Sequence, residues 1–285
     1  MNKVRWGILS TAKIGREKVI PAMQAGELCE IVAIASANKE RLAAESTRLN
    51  IPKRYDSYDQ MIGDPDIDAV YIPLPNQMHI EWSIKALEAG KHVLCEKPLG
   101  LSFVEAEKLL KAARQKPHLK VMEAFMYRFH PQWQRAKKMV VDGVIGELKT
   151  IQAFFSYYNV DPNNIRNQRE TGGGGMLDIG CYCISSARFI FGREPERVLG
   201  SVEFDPVMRT DRLASGILDF GGSTSTFTCS TQLVPYQRVN ILGTEARIEI
   251  EIPFNAPPDK PARVWLHSKK ESEELLFDAV DQYTI

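Results

Sequence analysis

The sequence predicts an α/β chain of two domains: a doubly wound parallel sheet first, then an α+β unit built on a large, mostly antiparallel open sheet. Three observations predict it. From Lys3 to about Glu123, short apolar segments alternate with amphipathic ones, the βαβ pattern of a parallel sheet. Beyond about Asp142 the pattern changes to segments that alternate apolar and polar residues, as in strands with one covered face. The 285 residues, 44% hydrophobic, suffice for two ordinary cores. We place the domains at 1–123 and 124–285.

In the first domain the expected strands are Val4 to Leu9, Ile31 to Ala35, Ala69 to Ile72, His92 to Cys95 and Lys120 to Glu123. A helix is expected from His79 to Ala89, stopped by Gly90, a residue type that readily takes the left-handed conformation at helix ends. Another is expected from Phe103 to Gln115, before Pro117, and a third near Pro131 to Asp142. The second sheet is read from Leu148 to Tyr157, Val198 to Phe204, Leu213 to Phe220, Thr224 to Thr231, Arg238 to Leu242, Arg247 to Ile252 and Arg263 to His267.

Thirty-six basic and thirty-six acidic side chains cancel, which removes the bulk attraction that non-specific nucleic-acid or anionic-membrane binding needs. No apolar run is long enough to span a bilayer, and Met1 to Trp6 enters a strand rather than a signal-peptide apolar region. A cytoplasmic protein is expected. The five cysteines, Cys29, Cys95, Cys181, Cys183 and Cys229, have no paired C-x-x-C spacing, so they read as reduced thiols and no metal site is indicated.

The carboxyl ends of parallel strands are where ligands bind in such sheets. After Val4 to Leu9 comes Ser10-Thr11-Ala12-Lys13-Ile14-Gly15, at the place of a glycine-rich dinucleotide fingerprint of which only Gly15 remains. Small residues still let backbone N–H groups approach a pyrophosphate there, and a plain strand-to-helix turn is the other reading of the segment. At the end of the second strand, Ser36, Asn38 and Arg41 stand where a carboxylate would hold a ribose diol, which favours NADP with NAD as the alternative. Ser36 or Asn38 could equally start the next helix as an N-cap. The loop after Ile72 supplies Pro73, Asn76 and His79 as weaker cofactor candidates; Asn76 reads equally as a cap and His79 as a first-turn residue. Glu96-Lys97-Pro98 closes the strand His92 to Cys95; taken alone Lys97 reads as a surface-loop lysine, and its place at a strand end before a proline makes it also a cation poised for chemistry.

In the second domain Gly172 to Gly175 leads into a helix carrying Asp178 and Tyr182 at i and i+4, a carboxylate and a phenol expected on one face near a helix N-terminus; taken alone the pair reads equally as a capping aspartate and a packed tyrosine. Four consecutive glycines cost backbone entropy, so they imply close backbone approach or positive φ.

Cys95 to Pro98, Glu123 to Pro131 and Gly172 to Tyr182 together resemble the glucose-fructose oxidoreductase / inositol dehydrogenase / MocA superfamily over essentially the whole chain. The segment Met122 to Pro131 and the tyrosine closing the glycine motif resemble the branch of NADP-dependent D-xylose dehydrogenases and dimeric dihydrodiol dehydrogenases. The resemblance implies a Rossmann domain, a second domain that forms a homodimer or homotetramer through its open sheet face, and a sugar, cyclic polyol or vicinal diol substrate. It implies that Lys97 and Tyr182 are catalytic, meeting over one nicotinamide, with Asp178 at the substrate and a cis peptide before Pro98. The chain departs from the pattern at Ser10 and Ala12, and at Ala37, where many NADP-binding relatives have arginine. It also stops at Ile285, where similar proteins continue into further helices.

The expected chemistry follows from charge. Oxidising an alcohol sends hydride to nicotinamide while the hydroxyl proton leaves, so a fixed ammonium at that oxygen lowers the barrier. A phenol, ordinarily near pKa 10 (roughly), becomes a usable proton acceptor beside such a cation. Arg128, Tyr157, Asn164, Arg166 and Arg169 are candidate substrate groups, the arginines equally surface ion-pair residues, and Glu96 is a candidate contact of the nicotinamide ribose. A dinucleotide-sensing regulator without turnover, and an oligomer that has lost the cofactor, are the other classes this pattern admits.

Overall fold

The computed structural model describes residues 3–285; Met1 and Asn2, placed above at the entry to the first strand, lie outside the described residues. The chain folds as two compact units, one running to Ala124 and taking in Thr284, the other Phe125–Tyr283 with Ile285.

The first unit holds a six-stranded sheet of β1 (Val4–Leu9), β2 (Cys29–Ala35), β3 (Lys53–Tyr55), β4 (Ala69–Ile72), β5 (His92–Cys95) and β6 (Val121–Glu123), in the order β3-β2-β1-β4-β5-β6. Every neighbouring pair is parallel. The order turns back on itself between β1 and β4, which places a ligand crevice at the carboxyl ends of those strands. Between the strands run α1 (Ile20–Ala25), α2 (Lys39–Arg48), α3 (Tyr58–Ile62), α4 (His79–Glu88) and α5 (Phe103–Arg114). The central strands read as unbroken apolar runs because helices cover both faces; Ile8, Leu9, Val70, Tyr71 and Ile72 have no exposed surface. Each such aliphatic side chain contributes roughly 1.5–3 kcal/mol by leaving water. Gly90, at φ 79°, follows the end of α4 as expected. The sequence reading missed β3, an edge strand of three residues, Lys53, Arg54 and Tyr55, with no apolar run to mark it.

The second unit holds α6 (Pro131–Val141), α7 (Cys181–Phe191) and an eight-stranded sheet. Its strands are β7 (Leu148–Tyr158), β8 (Arg197–Phe204), β9 (Asp211–Asp219), β10 (Thr224–Ser230), β11 (Gln232–Gly243), β12 (Ala246–Ile250), β13 (Ala262–Ser268) and β14 (Ser272–Phe277). The order is β14-β13-β12-β11-β7-β10-β9-β8; only β7 and β10 pair in parallel. Along β7 and β11, Ile151, Ala153, Phe155, Val239 and Ile241 are buried against the helices. The intervening Gln152, Phe154, Arg238 and Asn240 border a cavity of about 260 Å³ on the open face. The reading missed β14, whose Ser-Glu-Glu start carries no apolar alternation, and began β11 too late. Pro235 lies within β11 where the register shifts between Gln232 and Tyr236, a break that lets the strand accommodate a proline.

Candidate active site

The turn after β1 keeps the shape of a glycine fingerprint without its glycines. Ser10 has φ 106°, a conformation that L-residues rarely adopt and glycine takes freely. Its hydroxyl stabilises the turn: Oγ donates to the Pro73 carbonyl (3.2 Å) and accepts from the Ala12 N–H (3.1 Å). Gly15 is buried beside Pro73 and Tyr71; a Cβ there would lie 3.5 Å from Pro73 Cγ and from Tyr71 Cε1, an ordinary van der Waals contact, so space alone does not require the glycine. Thr11 is buried with Oγ1 3.4 Å from Ser36 Oγ, Ile14 is half-buried, and the Lys13 side chain is 80% exposed, 3.8 Å from Glu17.

At the end of β2 the cap reading is realised. Asn38 Oδ1 accepts from the Arg41 N–H (2.8 Å) and Ser36 Oγ accepts from the Asn38 N–H (3.2 Å). No carboxylate occupies the strand end, Ala35-Ser36-Ala37-Asn38, and Arg41 is exposed in the first turn of α2. The turn and this strand end fit a dinucleotide, and the missing carboxylate suits a 2′-phosphate.

The loop after β5 is fixed on both sides of Lys97. Before it, the Glu96 N–H donates to the Ile72 carbonyl (3.1 Å) and Glu96 Oε1 accepts from the Tyr71 hydroxyl (2.6 Å). That bond engages the carboxylate read as a ribose contact. After it, the Leu99 N–H donates to Glu123 Oε1 (2.8 Å), at the end of β6. The Lys97–Pro98 peptide is cis, as the resemblance implied. Lys97 itself is half-buried.

His79 corrects the sequence reading. It is a cofactor candidate there, but its ring is 0% exposed, with Nδ1 2.7 Å from the Pro98 carbonyl oxygen and Nε2 2.7 Å from that of Leu74. Both ring nitrogens face main chain, so no polar edge is left for a ligand. Asn76 starts a short 3-10 turn, Asn76–Met78, whose cap residue is Pro75; it is not a side-chain cap.

In the second unit the glycine run behaves as four glycines require. Gly172 has φ 79° and Gly174 φ 122°; a Cβ on Gly173 would lie 2.5 Å from the Arg166 carbonyl, and one on Gly174 2.0 Å from Asp211 Oδ1. Asp211 Oδ2 accepts from the Met176 N–H (2.6 Å), and burial raises this carboxyl's pKa. The helix then opens as a π-turn, Met176–Gly180, before α7 proper. Asp178 and Tyr182 are therefore not a regular i, i+4 pair, because the wider turn rotates one against the other.

Asp178, 8% exposed, accepts from the Tyr157 hydroxyl at Oδ2 (2.6 Å) and from Arg166 Nε at Oδ1 (3.0 Å). Burial, then the Asp178 charge, pushes the Tyr157 phenol's pKa upward, so it stays a donor; the Asp178 charge in turn raises the Arg166 pKa. Asn164 Oδ1 accepts from the Arg166 N–H (3.0 Å), shaping the turn that presents the arginine. Tyr182 is walled by Phe125, Tyr127, Phe155 and Phe254, with ring centroids 5.3–5.9 Å away, and its hydroxyl lies 3.6 Å from Met126 Sδ.

The candidates thus sort into groups. Asp178, Tyr157 and Arg166 come together, with Asn164 behind them. Arg128 instead donates from Nη2 to Ser185 Oγ (2.7 Å) and lies over the Phe125 and Phe189 rings, so its guanidinium is held by packing rather than at Asp178. Arg169 is exposed in a 3-10 turn. Sequence reasoning missed Glu123, Tyr71 and Asp211 as supports. Glu123, a carboxylate closing a strand as Lys97 follows one, carried a usable signal; Asp211, 35 residues from its partner Met176, carried none.

A unit shaped to take a dinucleotide, joined to one that gathers a carboxylate, a phenol and a guanidinium, defines a dinucleotide-dependent oxidoreductase. Comparison with known proteins makes the class specific. Residues 4–125 match a family described as "Oxidoreductase family, NAD-binding Rossmann fold", and residues 133–249 match the "GFO/IDH/MocA C-terminal domain". The chain belongs to the Gfo/Idh/MocA oxidoreductases, as its motifs led us to expect.

Its relatives include a D-xylose 1-dehydrogenase (NADP(+)) from Haloferax volcanii, 36% identical over 98% of this chain and 85% of the relative. A trans-1,2-dihydrobenzene-1,2-diol dehydrogenase from Xenopus laevis is 35% identical over 86% of this chain and 74% of its own. Among solved structures, KijD10, a 3-ketoreductase from Actinomadura kijaniata in complex with NADP and TDP-benzene, superposes with a TM-score of 0.91 at 31% identity, covering 99% of this chain and 87% of that one.

Proposed function

We propose that this protein is an NADP-preferring dehydrogenase or reductase acting on a CH–OH carbon of a sugar, cyclic polyol or vicinal diol. The observation that carries this reading is the Asp178 carboxylate, held by Tyr157 and Arg166 in the same unit as the aromatic-walled Tyr182. A fixed, hydrogen-bonded carboxylate suits a hydroxyl-rich ring, whose O–H groups donate to it. The relatives that act on D-xylose, on a dihydrodiol and on a keto group support the same substrate class.

Bound NADP supplies the hydride acceptor at nicotinamide C4. Lys97 stabilises the charge that develops on the substrate oxygen as its proton leaves, and Tyr182 takes that proton; in reduction the phenol returns it. Asp178 orients the ring by accepting from a neighbouring hydroxyl. Ser36, with Asn38 and Arg41, receives the 2′-phosphate. We further propose a cytoplasmic homodimer or homotetramer that uses the open sheet face, where Leu199 and Ile217 lie exposed on paired positions. Among the described residues, no helix is long and apolar enough to cross a membrane.

A turnover screen following nicotinamide absorbance, with NADP and NAD against pentoses, hexoses, inositols and aromatic dihydrodiols, tests this. Turnover with NADP on at least one of these classes is expected. Lys97→Ala and Tyr182→Phe should each lower turnover by roughly 100-fold or more while NADPH still binds. Near-native turnover in both variants overturns the roles. Quenching of tryptophan fluorescence by NADPH, with Trp6 on β1, and no turnover on any class would instead identify a dinucleotide sensor.

A further inference from the structure

We propose that His79 is a positioning residue for Lys97, joining the loops that leave two adjacent strands; this rests on the catalytic reading of Lys97. The two carbonyls it meets belong to Pro98, one residue past Lys97, and to Leu74, in the loop after β4, each at 2.7 Å. The strands β4 and β5 lie side by side, Ile72 opposite Cys95, so their loops emerge together. A planar ring with nitrogens on opposite edges spans such a gap; both partners are carbonyl acceptors, so a neutral ring donates to one of them and only a doubly protonated ring donates to both.

The other attachments of this segment show what the bridge adds. The Glu96 N–H to Ile72 bond fixes the chain before Lys97, and the Leu99 N–H to Glu123 bond fixes it two residues after. The Pro98 carbonyl lies between them and is held by His79. An imidazole serving only to fill the core would need polar partners of any origin. This one takes both from loops at the carboxyl edge of the sheet, one of them carrying Lys97. Because about 1 Å of misplacement can lower turnover by about 100-fold, the anchor of the backbone beside a catalytic ammonium sets its rate without touching substrate.

The test uses His79→Leu and His79→Gln in the full chain, each alone and combined with Lys97→Ala. Deuterium uptake over residues 96–101, NADPH affinity and turnover on the best substrate of the screen are measured. His79→Leu should speed exchange over 96–101 and leave β1 and β2 unchanged. Its kcat should fall about 100-fold with NADPH affinity within roughly twofold of native. His79→Gln, which keeps an N–H donor, should recover part of kcat. On the Lys97→Ala background His79→Leu should change residual turnover no further, because the residue it positions is gone.

Native exchange over 96–101 in His79→Leu, or an equal fractional loss of turnover on both backgrounds, overturns the inference. Should His79→Leu not fold, His79→Gln is judged by the same two criteria. Native turnover in Lys97→Ala alone refutes the catalytic reading of Lys97 and with it the positioning role, even where the exchange result still shows that His79 anchors the loop.

Discussion

The Tyr157 hydroxyl donates to Asp178 Oδ2 across 2.6 Å, while Arg166 Nε holds the other oxygen from 3.0 Å. Two donors of different kinds thus fix one carboxylate: a phenol kept protonated by burial and a permanent cation. Tyr157→Phe removes the neutral donor and leaves the ion pair. A hydrogen bond to a charged group contributes about 1.5 kcal/mol, so kcat/KM should fall about tenfold. NADPH affinity should not change. Steady-state kinetics beside a fluorescence titration checks this, and a loss confined to NADPH binding would contradict the placing of Asp178 at the substrate.

The glycine run makes a sharper contrast. Gly174→Ala would drive a Cβ to 2.0 Å from Asp211 Oδ1 at φ 122° and disturb the carboxylate that caps the Met176 N–H. Gly143→Ala meets nothing within 4 Å at φ 74°. The first should destabilise by about 3 kcal/mol or more and the second by about 1 kcal/mol, the left-handed conformational cost alone. Urea unfolding of both variants measures the difference.

Ser10 holds a glycine conformation by means of its hydroxyl. Ser10→Gly relieves the strain but loses the bonds to Pro73 and Ala12; Ser10→Ala keeps the strain and loses the same bonds. Each effect is on the order of 1 kcal/mol. Ser10→Ala should therefore be the less stable of the two and the weaker NADPH binder. Thermal melts and titrations of the pair decide the order.

Asp64 governs part of the acid sensitivity. It accepts from Lys53 Nζ (2.8 Å), the Tyr55 hydroxyl (2.8 Å) and the Asp66 N–H (2.9 Å), and the Lys53 bond foremost lowers its pKa to about 2. A carboxylate held below its unfolded pKa stabilises the fold above that value, and the stabilisation fades as pH falls toward about 2. Asp64→Asn should lower Tm by roughly 3 °C at neutral pH, with the gap to the native protein closing in acid. Parallel melts from neutral pH downward test the sign; a gap that widens in acid would contradict it.

The amino-acid sequence by itself determined the elements whose faces are covered. β1, β4 and β5 are apolar runs because both sides of the parallel sheet are buried, and β7 alternates because one side is open. It also determined the backbone demands of Gly172 to Gly175, which only unusual φ or close approach explains. Edge strands such as β3 and β14 bury too little to leave a pattern. Apart from local caps such as Asn38 on the Arg41 N–H, the partners of polar side chains were decided by the tertiary structure. His79 reads as a cofactor candidate or a first-turn residue until the loops of Leu74 and Pro98 close around it, and Arg128 as a substrate group or a surface ion-pair residue until Ser185 and two aromatic rings hold it. Hydrophobic burial is written as a local period along the chain, whereas a hydrogen bond to a distant residue has no period and exists only once the strands have brought its two ends together.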